Sequence, residues 1–218
     1  MLFRLIFAFA ALVLSARAAD PARAAQFEEA VRAYEKNDAL TPPPRGGILF
    51  TGSSMLHGWS SLEENFRGLP VFVRAFDGWR MADAVTYAER INVAYRPRII
   101  VLQAGGSDLA EGRTPEEVLG LFQRYVVKVQ TLLPSVRIIF LGSSPHPFRP
   151  RGREQQQRLN NLIAAYIAGK QNLDFVDLWT AMLGPDGNVR PGLYVTDSYL
   201  PSADGYALRA KLIRPHLQ

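Results

Sequence analysis

The sequence predicts an α/β fold in which a parallel sheet of five strands is covered by helices on both faces. Five short runs rich in Ile, Val, Leu and Phe are spaced along the chain. Most positions of each run are apolar, as expected for a strand buried on both faces. Segments with helical periodicity lie between the runs. Parallel strands need such crossovers, and the crossovers then bury the sheet on both sides.

The N-terminus predicts a secretory signal peptide at residues 1–18. Arg4 precedes an apolar run at residues 5–14, and Ala16-Arg17-Ala18 supplies the small residues of a cleavage site. The run is short compared with the ~20 apolar residues that cross a bilayer, which disfavours an uncleaved anchor. We therefore expect a secreted or periplasmic protein with no stable membrane span after cleavage, in which residues 19–218 form a single domain.

Charge and composition argue against several kinds of partner. Cleavage would remove Arg4 and Arg17 and lower the formal charge from +5 to +3, a small excess that does not suggest nucleic acid. A basic stretch at residues 146–158 carries four arginines; it suits either an anionic group or a solvated loop. With no cysteine and three scattered histidines, the chain predicts no disulfide, no metal site and no cofactor.

The pattern of apolar and polar residues predicts the helices and strands in chain order. A first helix is predicted over residues 27–37, because Phe27, Val31 and Tyr34 share one face, and three consecutive prolines from Pro42 end it. The predicted strands cover residues 47–51, 71–75, 98–103, 136–141 and 173–178.

The helix after the third strand is the most strongly marked. Thr114 supplies an N-cap, Pro115 occupies the first helical position and Glu117 completes a capping box. Its apolar stripe consists of Val118, Leu121, Phe122, Tyr125, Val129 and Leu132. Further helices are marked by Met81, Val85, Ala88 and Ile91, by Leu159, Leu162, Ile163 and Tyr166, and by a segment from Asp204 to Ile213.

Small residues follow the first four strands, in the segments 52–54, 76–78, 104–108 and 142–146. Sites in such folds lie at the carboxyl ends of the strands, so these segments are predicted to form one site. Ser54, at the tip of the first strand, is then a candidate nucleophile, and a nucleophilic hydroxyl needs a group that accepts its proton.

These segments resemble the sequence blocks of the SGNH hydrolases, also called GDSL esterases and lipases. PPPRGGILFTGSSMLHGW is similar to the first block and places the nucleophile at Ser54; VRAFDGWRMADA is similar to the second and places its glycine at Gly78. The third block, normally Gly-x-Asn-Asp, reads Gly105-Gly106-Ser107-Asp108, and the fifth, normally Asp-x-x-His, reads Asp197-Ser198-Tyr199-Leu200. The resemblance covers nearly all of the chain after the signal peptide and implies a three-layer α/β/α sandwich with a flavodoxin-like sheet.

The resemblance also implies an activity, which is hydrolysis of an acyl or acetyl ester on a small molecule, glycan or lipid. It assigns Ser54 as nucleophile and Asp197 as the carboxylate that orients a histidine. The implied oxyanion donors are the backbone N–H groups of Ser54 and Gly78 and the side chain of Ser107. No metal and no cofactor take part.

Two family-defining positions differ, since Ser107 replaces an asparagine and Leu200 replaces the catalytic histidine. Leucine has no lone pair and cannot accept the Ser54 proton. Loss of a triad histidine costs about 10⁶ in rate in a well-studied protease. Ser107 can still donate a hydrogen bond, but its side chain is shorter than that of asparagine, so a water would have to bridge any gap.

Two other histidines are candidates for a substitute base. His57 lies one helical turn after Ser54 and is predicted to point away from the substrate. His146 is the better candidate, because its loop opens on the same sheet edge and adjacent prolines restrict it; the alternative is a solvent-exposed loop residue. His216, close to the C-terminus, is expected to be incidental.

Several of these residues also have a purely structural interpretation. Ser54 suits a helix N-cap, Gly78 suits a tight turn, and Asp108 is expected to be a capping or structural hydrogen-bonding residue. Three aromatic residues either line a pocket or pack in the core: Trp79, Tyr199 and Phe148.

Two functions therefore remain open from the sequence. The first is an exported ester hydrolase in which His146, or a water near Asp197, substitutes for the missing base. The second is a catalytically inactive binding module, in which the same site holds an acyl or glycan ligand in a pocket made more apolar by Leu200. The leucine favours weak or absent hydrolysis.

Overall fold

The computed structural model of the protein describes residues 21–147 and 152–218. The predicted signal peptide at residues 1–18, Phe148 and the centre of the basic stretch lie outside the described residues. The strands are β1 (Ile48–Gly52), β2 (Val71–Ala75), β3 (Ile99–Gln103), β4 (Arg137–Leu141) and β5 (Leu173–Val176). The helices are α1 (Pro21–Leu40), α2 (Ser54–His57), α3 (Leu62–Asn65), α4 (Met81–Ile91), α5 (Gly106–Ala110), α6 (Pro115–Leu132), α7 (Arg153–Ile167) and α8 (Ala203–Ile213).

The sheet is parallel throughout and has the strand order β2-β1-β3-β4-β5. This confirms the predicted α/β fold and its five strands. The last strand is shorter than the predicted segment 173–178, because Asp177 ends it. Asp177 Oδ1 accepts hydrogen bonds from the backbone N–H groups of Trp179 (2.8 Å) and Thr180 (3.2 Å), which turns the chain away from the sheet.

Helices cover both faces of the sheet. Helices α1, α4, α6 and α7 pack on one face together with Leu49, and α2, α3 and α8 pack on the other together with Ile48 and Phe50. Successive residues of β1 thus point to opposite cores, and all five are buried. This alternation explains why the buried strands are apolar at most positions rather than only at every second one.

The first helix extends beyond both ends of the predicted segment 27–37, and polar contacts hold its last turn. Phe27 and Val31 are buried against the sheet, as the pattern predicted. Beyond them, Asp38 forms an ion pair with Arg74 of β2 and accepts a hydrogen bond from the Tyr95 hydroxyl at 2.5 Å. These contacts carry no apolar signal, so hydrophobic periodicity alone could not extend the helix.

The topology places a crevice at the carboxyl edge of the sheet. Strand β1 lies between β2 and β3, so the chain leaves β1 toward one neighbour and reaches the other strands in the opposite direction. Loops diverge at such a switch point and leave room for a ligand. Within the described ranges, no helix is long and apolar enough to span a membrane.

Candidate active site

The end of β1 is fitted closely against the end of β3. Gly52 has φ 146°, and a Cβ at this position would lie 2.0 Å from the backbone oxygen of Gln103. The next residue, Ser53, donates its N–H to the same oxygen at 3.0 Å. Only glycine allows this approach. The chain then turns directly into α2, which presents Ser54 beyond the sheet edge.

Ser54 is the first residue of α2, and Ser53 occupies the N-cap position. The structural alternative, in which Ser54 is only an N-cap, is therefore wrong. The backbone N–H of a first helical residue has no partner within its own helix. Ser54 thus combines a half-exposed hydroxyl with an adjacent N–H, both at the carboxyl edge of β1.

A pocket of about 170 Å³ opens beside Ser54. It is lined by residues that follow β1, β3 and β4, together with Gln156 of α7 and Tyr199. The pocket brings together four residues that the sequence singled out, namely Ser54, Ser107, His146 and Tyr199. The predicted clustering of small residues at this edge is therefore found in the structure.

The hydroxyl of Ser54 contacts the loop after β2. Its Oγ donates a hydrogen bond to Asp77 Oδ1 and accepts one from the N–H of Gly78 at 3.3 Å. The Tyr199 hydroxyl donates to the same Asp77 oxygen at 3.2 Å. Sequence reasoning missed Asp77, although it belongs to one of the segments, 76–78, that were predicted to meet at the site. The signal was its place directly before Gly78.

Gly78 serves both a turn and the site. Its φ of 68° is left-handed, which favours glycine, and its N–H reaches Ser54. The loop is fixed from α1, where Arg23 Nη2 donates to the Gly78 oxygen at 2.5 Å and pairs with Asp83 at 3.0 Å. The first helix thereby helps to hold the loop that faces the candidate nucleophile.

Among residues 21–147 and 152–218, no imidazole forms a hydrogen bond with Ser54. His57 Nδ1 lies 3.1 Å from the Ala75 oxygen, and His146 Nε2 lies 3.2 Å from the Ser198 oxygen. His146 is 7% exposed and packs edge-on against Tyr194, with a ring-centroid distance of 4.8 Å. The alternative that His146 is a solvent-exposed loop residue is therefore wrong. His216 lies 3.7 Å from Asp174 of β5.

The fifth block lies beside α2 but brings no base to Ser54. Leu200 packs against Gly58, the residue that ends α2. Asp197 is exposed, has φ 55° and forms no hydrogen bond with Ser54 within the described part of the chain. It lies in a tight turn, in which the Ser198 N–H donates to the Val195 oxygen at 3.2 Å. An aspartate tolerates this left-handed conformation better than most residues.

Asp108 has a structural role, as expected from the sequence. Its side chain is fully buried, and Oδ2 accepts a hydrogen bond from the N–H of Met81 at 2.7 Å, at the start of α4. Arg113 Nε lies 3.6 Å from Oδ1. Burial outweighs these favourable contacts and raises the pKa of Asp108 to about 6.

The aromatic residues divide between core and pocket. Trp79 is 1% exposed and stacks on Phe76 at 4.2 Å, so it belongs to the core. Tyr199 lines the pocket. Behind the pocket lies Arg209, a fully buried residue whose Nη2 donates to Gln103 Oε1 at 3.1 Å. Burial lowers the pKa of its guanidinium group.

Comparison with known proteins identifies the family. The family model of the GDSL-like lipases and acylhydrolases matches residues 46–208. This chain belongs to that family. The match includes Ser54, Gly78, Ser107, Asp197 and Leu200, and the predicted family membership is confirmed.

Two curated relatives and one solved structure show the extent of the similarity. Platelet-activating factor acetylhydrolase IB subunit alpha1 from Bos taurus is 32% identical over 95 residues, which cover 43% of this chain and 40% of that protein. Subunit alpha2 from Gallus gallus is 26% identical over 150 residues, covering 65% and 63%. The chain thus spans less than two thirds of either relative. A GDSL-like lipase from Bacteroides thetaiotaomicron has a TM-score of 0.71 at 20% identity and covers 86% of this chain and 96% of that one, which confirms the fold.

Proposed function

We propose that this protein hydrolyses carboxylic esters of short acyl groups, with Ser54 as the nucleophile. The observation that carries the proposal is the position of the Ser54 hydroxyl, which stands between the pocket and the loop after β2. Family membership supplies the reaction class, because the family comprises lipases and acylhydrolases.

The chemistry needs donors for the oxyanion that forms when Ser54 Oγ attacks the carbonyl carbon. The N–H of Ser54 is available at the start of α2, and the N–H of Gly78 lies 3.3 Å from Ser54 Oγ. Ser107 lines the pocket on the β3 side. Loss of a single oxyanion donor typically costs about 2.7–4 kcal/mol of transition-state stabilisation, so the first two N–H groups provide a substantial part of the catalysis.

Turnover is slow because the triad is impaired. Leu200 offers no proton acceptor, and Asp197 therefore has no imidazole to orient in this block. An enzyme that loses its triad histidine but keeps its oxyanion site retains roughly 10³–10⁴ of acceleration over the uncatalysed reaction. We expect hydrolysis to be weak but measurable.

The acyl group is short. The pocket volume of about 170 Å³ lies well below the ~300–1,000 Å³ of sites that enclose drug-sized ligands. The bovine and chicken relatives are named acetylhydrolases, which agrees with a small acyl group. The alcohol portion, from a small molecule, glycan or lipid, then lies outside the pocket. The predicted signal peptide at residues 1–18 makes export part of this proposal.

The proposal is tested by labelling and by turnover. The purified protein is incubated with a fluorophosphonate probe, the modified peptide is found by mass spectrometry, and hydrolysis of nitrophenyl acetate, butyrate and octanoate is followed. We expect modification at Ser54 and the highest kcat/KM with acetate. Ser54→Ala removes both, whereas Ser60→Ala, which alters an exposed serine nearby, leaves both unchanged. Absence of labelling together with turnover at the level of buffer ends the enzyme proposal.

The second candidate is a binding module without hydrolysis, and Leu200 is the observation that favours it. The same pocket would hold an acyl group or part of a glycan through Ser54 and the Gly78 N–H. Titration with acetate and acetylated sugars, followed by thermal unfolding, distinguishes the two. A ligand-dependent rise in Tm without any labelling of Ser54 supports the module.

A further inference from the structure

The register of the sheet brings Asp77 to Ser54. Strands β1 and β2 are paired with Gly52 opposite Ala75. Ser54 and Asp77 both lie two residues beyond this last pair, so the two side chains leave neighbouring strands at the same level. The contact between Ser54 Oγ and Asp77 Oδ1 thus follows from the strand pairing, and it is the only carboxylate contact of Ser54 within the described residues.

Asp77 and the pocket-lining Ser107 approach Ser54 from the two strands that flank β1. The strand order is β2-β1-β3, so Asp77 stands on the β2 side and Ser107 on the β3 side. Asp77 does not line the pocket, whereas Ser54 and Ser107 do. A nucleophile needs this arrangement, because its proton must leave in one direction while its lone pair approaches the carbonyl carbon from another.

The carboxylate of Asp77 is held in place by a second donor. Tyr199 OH donates to Asp77 Oδ1 at 3.2 Å. The charged groups around the loop form pairs: Arg23 and Arg80 each contact Asp83 and Glu111 at 2.9–3.5 Å. His57 of α2 contacts the Ala75 oxygen. Tyr34 of α1 also donates to the Ala75 oxygen, at 3.1 Å, and packs against Phe76. Tyr199, His57 and Tyr34 are thus further titratable groups that face this loop from the described elements.

We infer that Asp77 is the proton acceptor for Ser54, in the role that a histidine has in relatives with a complete triad. This inference rests on the proposed hydrolysis at Ser54. As the bond forms between Oγ and the acyl carbon, the hydroxyl proton passes to Asp77 Oδ1 and the carbonyl π electrons move onto oxygen. The tetrahedral adduct then collapses, the bond to the alcohol oxygen breaks, and the Asp77 proton passes to that oxygen.

Water completes the cycle by the same route. Asp77 takes a proton from the attacking water, the hydroxide oxygen bonds to the acyl carbon, and Ser54 Oγ leaves as the carboxylic acid forms and recovers the proton. Throughout both steps one negative charge moves between Asp77 and the oxyanion, so no additional charge is created at the site. Tyr199 is a positioning residue, because it acts through the Asp77 carboxylate.

The first test measures the rate of fluorophosphonate labelling and kcat/KM for nitrophenyl acetate in Asp77→Asn. Asparagine keeps an acceptor for the Ser54 hydroxyl but cannot take its proton. We expect both rates to fall by about 10²–10⁴, the usual contribution of a general base. Asp204→Asn, which makes the same substitution at an exposed position of α8, is expected to leave both rates unchanged.

Two further measurements exclude a merely structural role. Formate is expected to raise both rates of Asp77→Ala at least tenfold, because it supplies a carboxylate in the space that the substitution creates. Chloride is not expected to raise them. Tyr199→Phe should lower kcat more than it changes KM, because the Asp77 carboxylate loses the donor that positions it.

The outcomes separate the two proposals. If the unaltered protein is labelled at Ser54 but Asp77→Asn is labelled equally fast, Asp77 is not the base and the hydrolase proposal stands. Labelling that falls by about 10²–10⁴ in His146→Gln but not in Asp77→Asn would assign the base to His146 and overturn the inference. If the unaltered protein is neither labelled nor active, the hydrolase proposal fails and the inference fails with it.

Discussion

The side chain of Leu200 lies against Gly58, so closely that a Cβ on Gly58 would be 2.9 Å from Leu200 Cδ2. The same hypothetical Cβ would lie 3.3 Å from the backbone oxygen of Ser54. The side chain of Leu200 and the backbone of Ser54 therefore both lie next to Gly58, the C-cap of α2. Leu200, which stands where the family motif has a histidine, thus lies beside the end of the nucleophile's helix and offers no proton acceptor.

Leu200→His is accordingly expected to raise turnover by orders of magnitude. It places an imidazole three residues after Asp197, in the family spacing, and an imidazole is a more efficient general base near neutral pH than a carboxylate, because a base is most effective when its pKa lies near the working pH. The measurement is kcat/KM for nitrophenyl acetate. Leu200→Met serves as the control, because it preserves an apolar side chain of similar size without adding a base. Equal rates for the two variants would mean that the fifth block no longer has a working geometry.

Asp108 makes the stability of the protein depend on pH. Burial raises its pKa from 3.8 to about 6, so the folded state binds the proton more tightly than the unfolded state. The contribution of this group to stability is then present below pH ~4 and is lost as the pH rises through about 6. Such a difference in pKa corresponds to about 3 kcal/mol.

Asp108→Asn removes this titration but keeps an oxygen for the Met81 N–H. Relative to the unaltered protein, the variant should therefore gain stability as the pH rises from 4 to 7.5. Urea unfolding at several pH values measures the difference, and Asp204→Asn provides a control at an exposed site. A difference in stability that stays constant over this range would show that Asp108 titrates alike in both states.

Much of the fold was predictable because burial on both faces leaves a direct record in the sequence. Strands β1 and β3 are apolar at nearly every position, and Thr114, Pro115 and Glu117 begin α6 as the capping box indicated. The positions of Ser54 and Ser107 followed from the same logic, since each lies just past a strand. The resemblance to the family blocks then predicted the roles of Ser54 and Ser107.

The contacts of the site were not predictable, because they depend on register and on packing between distant segments. Asp77 reaches Ser54 through the pairing of Gly52 with Ala75, and no local pattern specifies that pairing. His146 is buried by Tyr194, which lies far along the chain. Arg209 is charged, and a charged residue is expected at the surface, yet this residue of α8 is completely buried.

Two glycines at the site are expected to respond differently to substitution. Gly52→Ala places a Cβ 2.0 Å from the Gln103 backbone oxygen. Neither strand can move far enough to relieve this clash, so we expect the free energy of unfolding to fall by more than about 4 kcal/mol, or the protein to fail to fold. Gly78→Ala meets nothing within 4 Å and costs only the left-handed conformation, about 1–2 kcal/mol. Gly120→Ala within α6 is the matched control and should stabilise by about 1 kcal/mol. Urea unfolding ranks the three, and a mild effect at Gly52 would contradict the close fit of β1 and β3.

Arg209 and Arg74 offer a comparison between two buried arginines. Arg74 forms an ion pair with Asp38 and donates to the Val73 oxygen at 2.6 Å. Arg209 has one hydrogen bond, to Gln103, and its Nε and Nη1 atoms have no hydrogen-bond partner in the described part of the chain. Removal of one partner of a buried pair costs about 3–5 kcal/mol, whereas burial of a charge without an ionic partner is itself costly, so that its replacement with a packed apolar side chain removes this cost.

Arg74→Met is therefore expected to destabilise the protein by about 3 kcal/mol or more, because it leaves the Asp38 carboxylate without its cation. Arg209→Met should be neutral or stabilising, since methionine follows the same path through the core and leaves no carboxylate behind. Urea unfolding of both variants at pH 7.5 measures the contrast. A loss at Arg209 as large as that at Arg74 would mean that a buried anion balances the Arg209 charge, and Gln103 would then be only one part of a larger polar network behind the pocket.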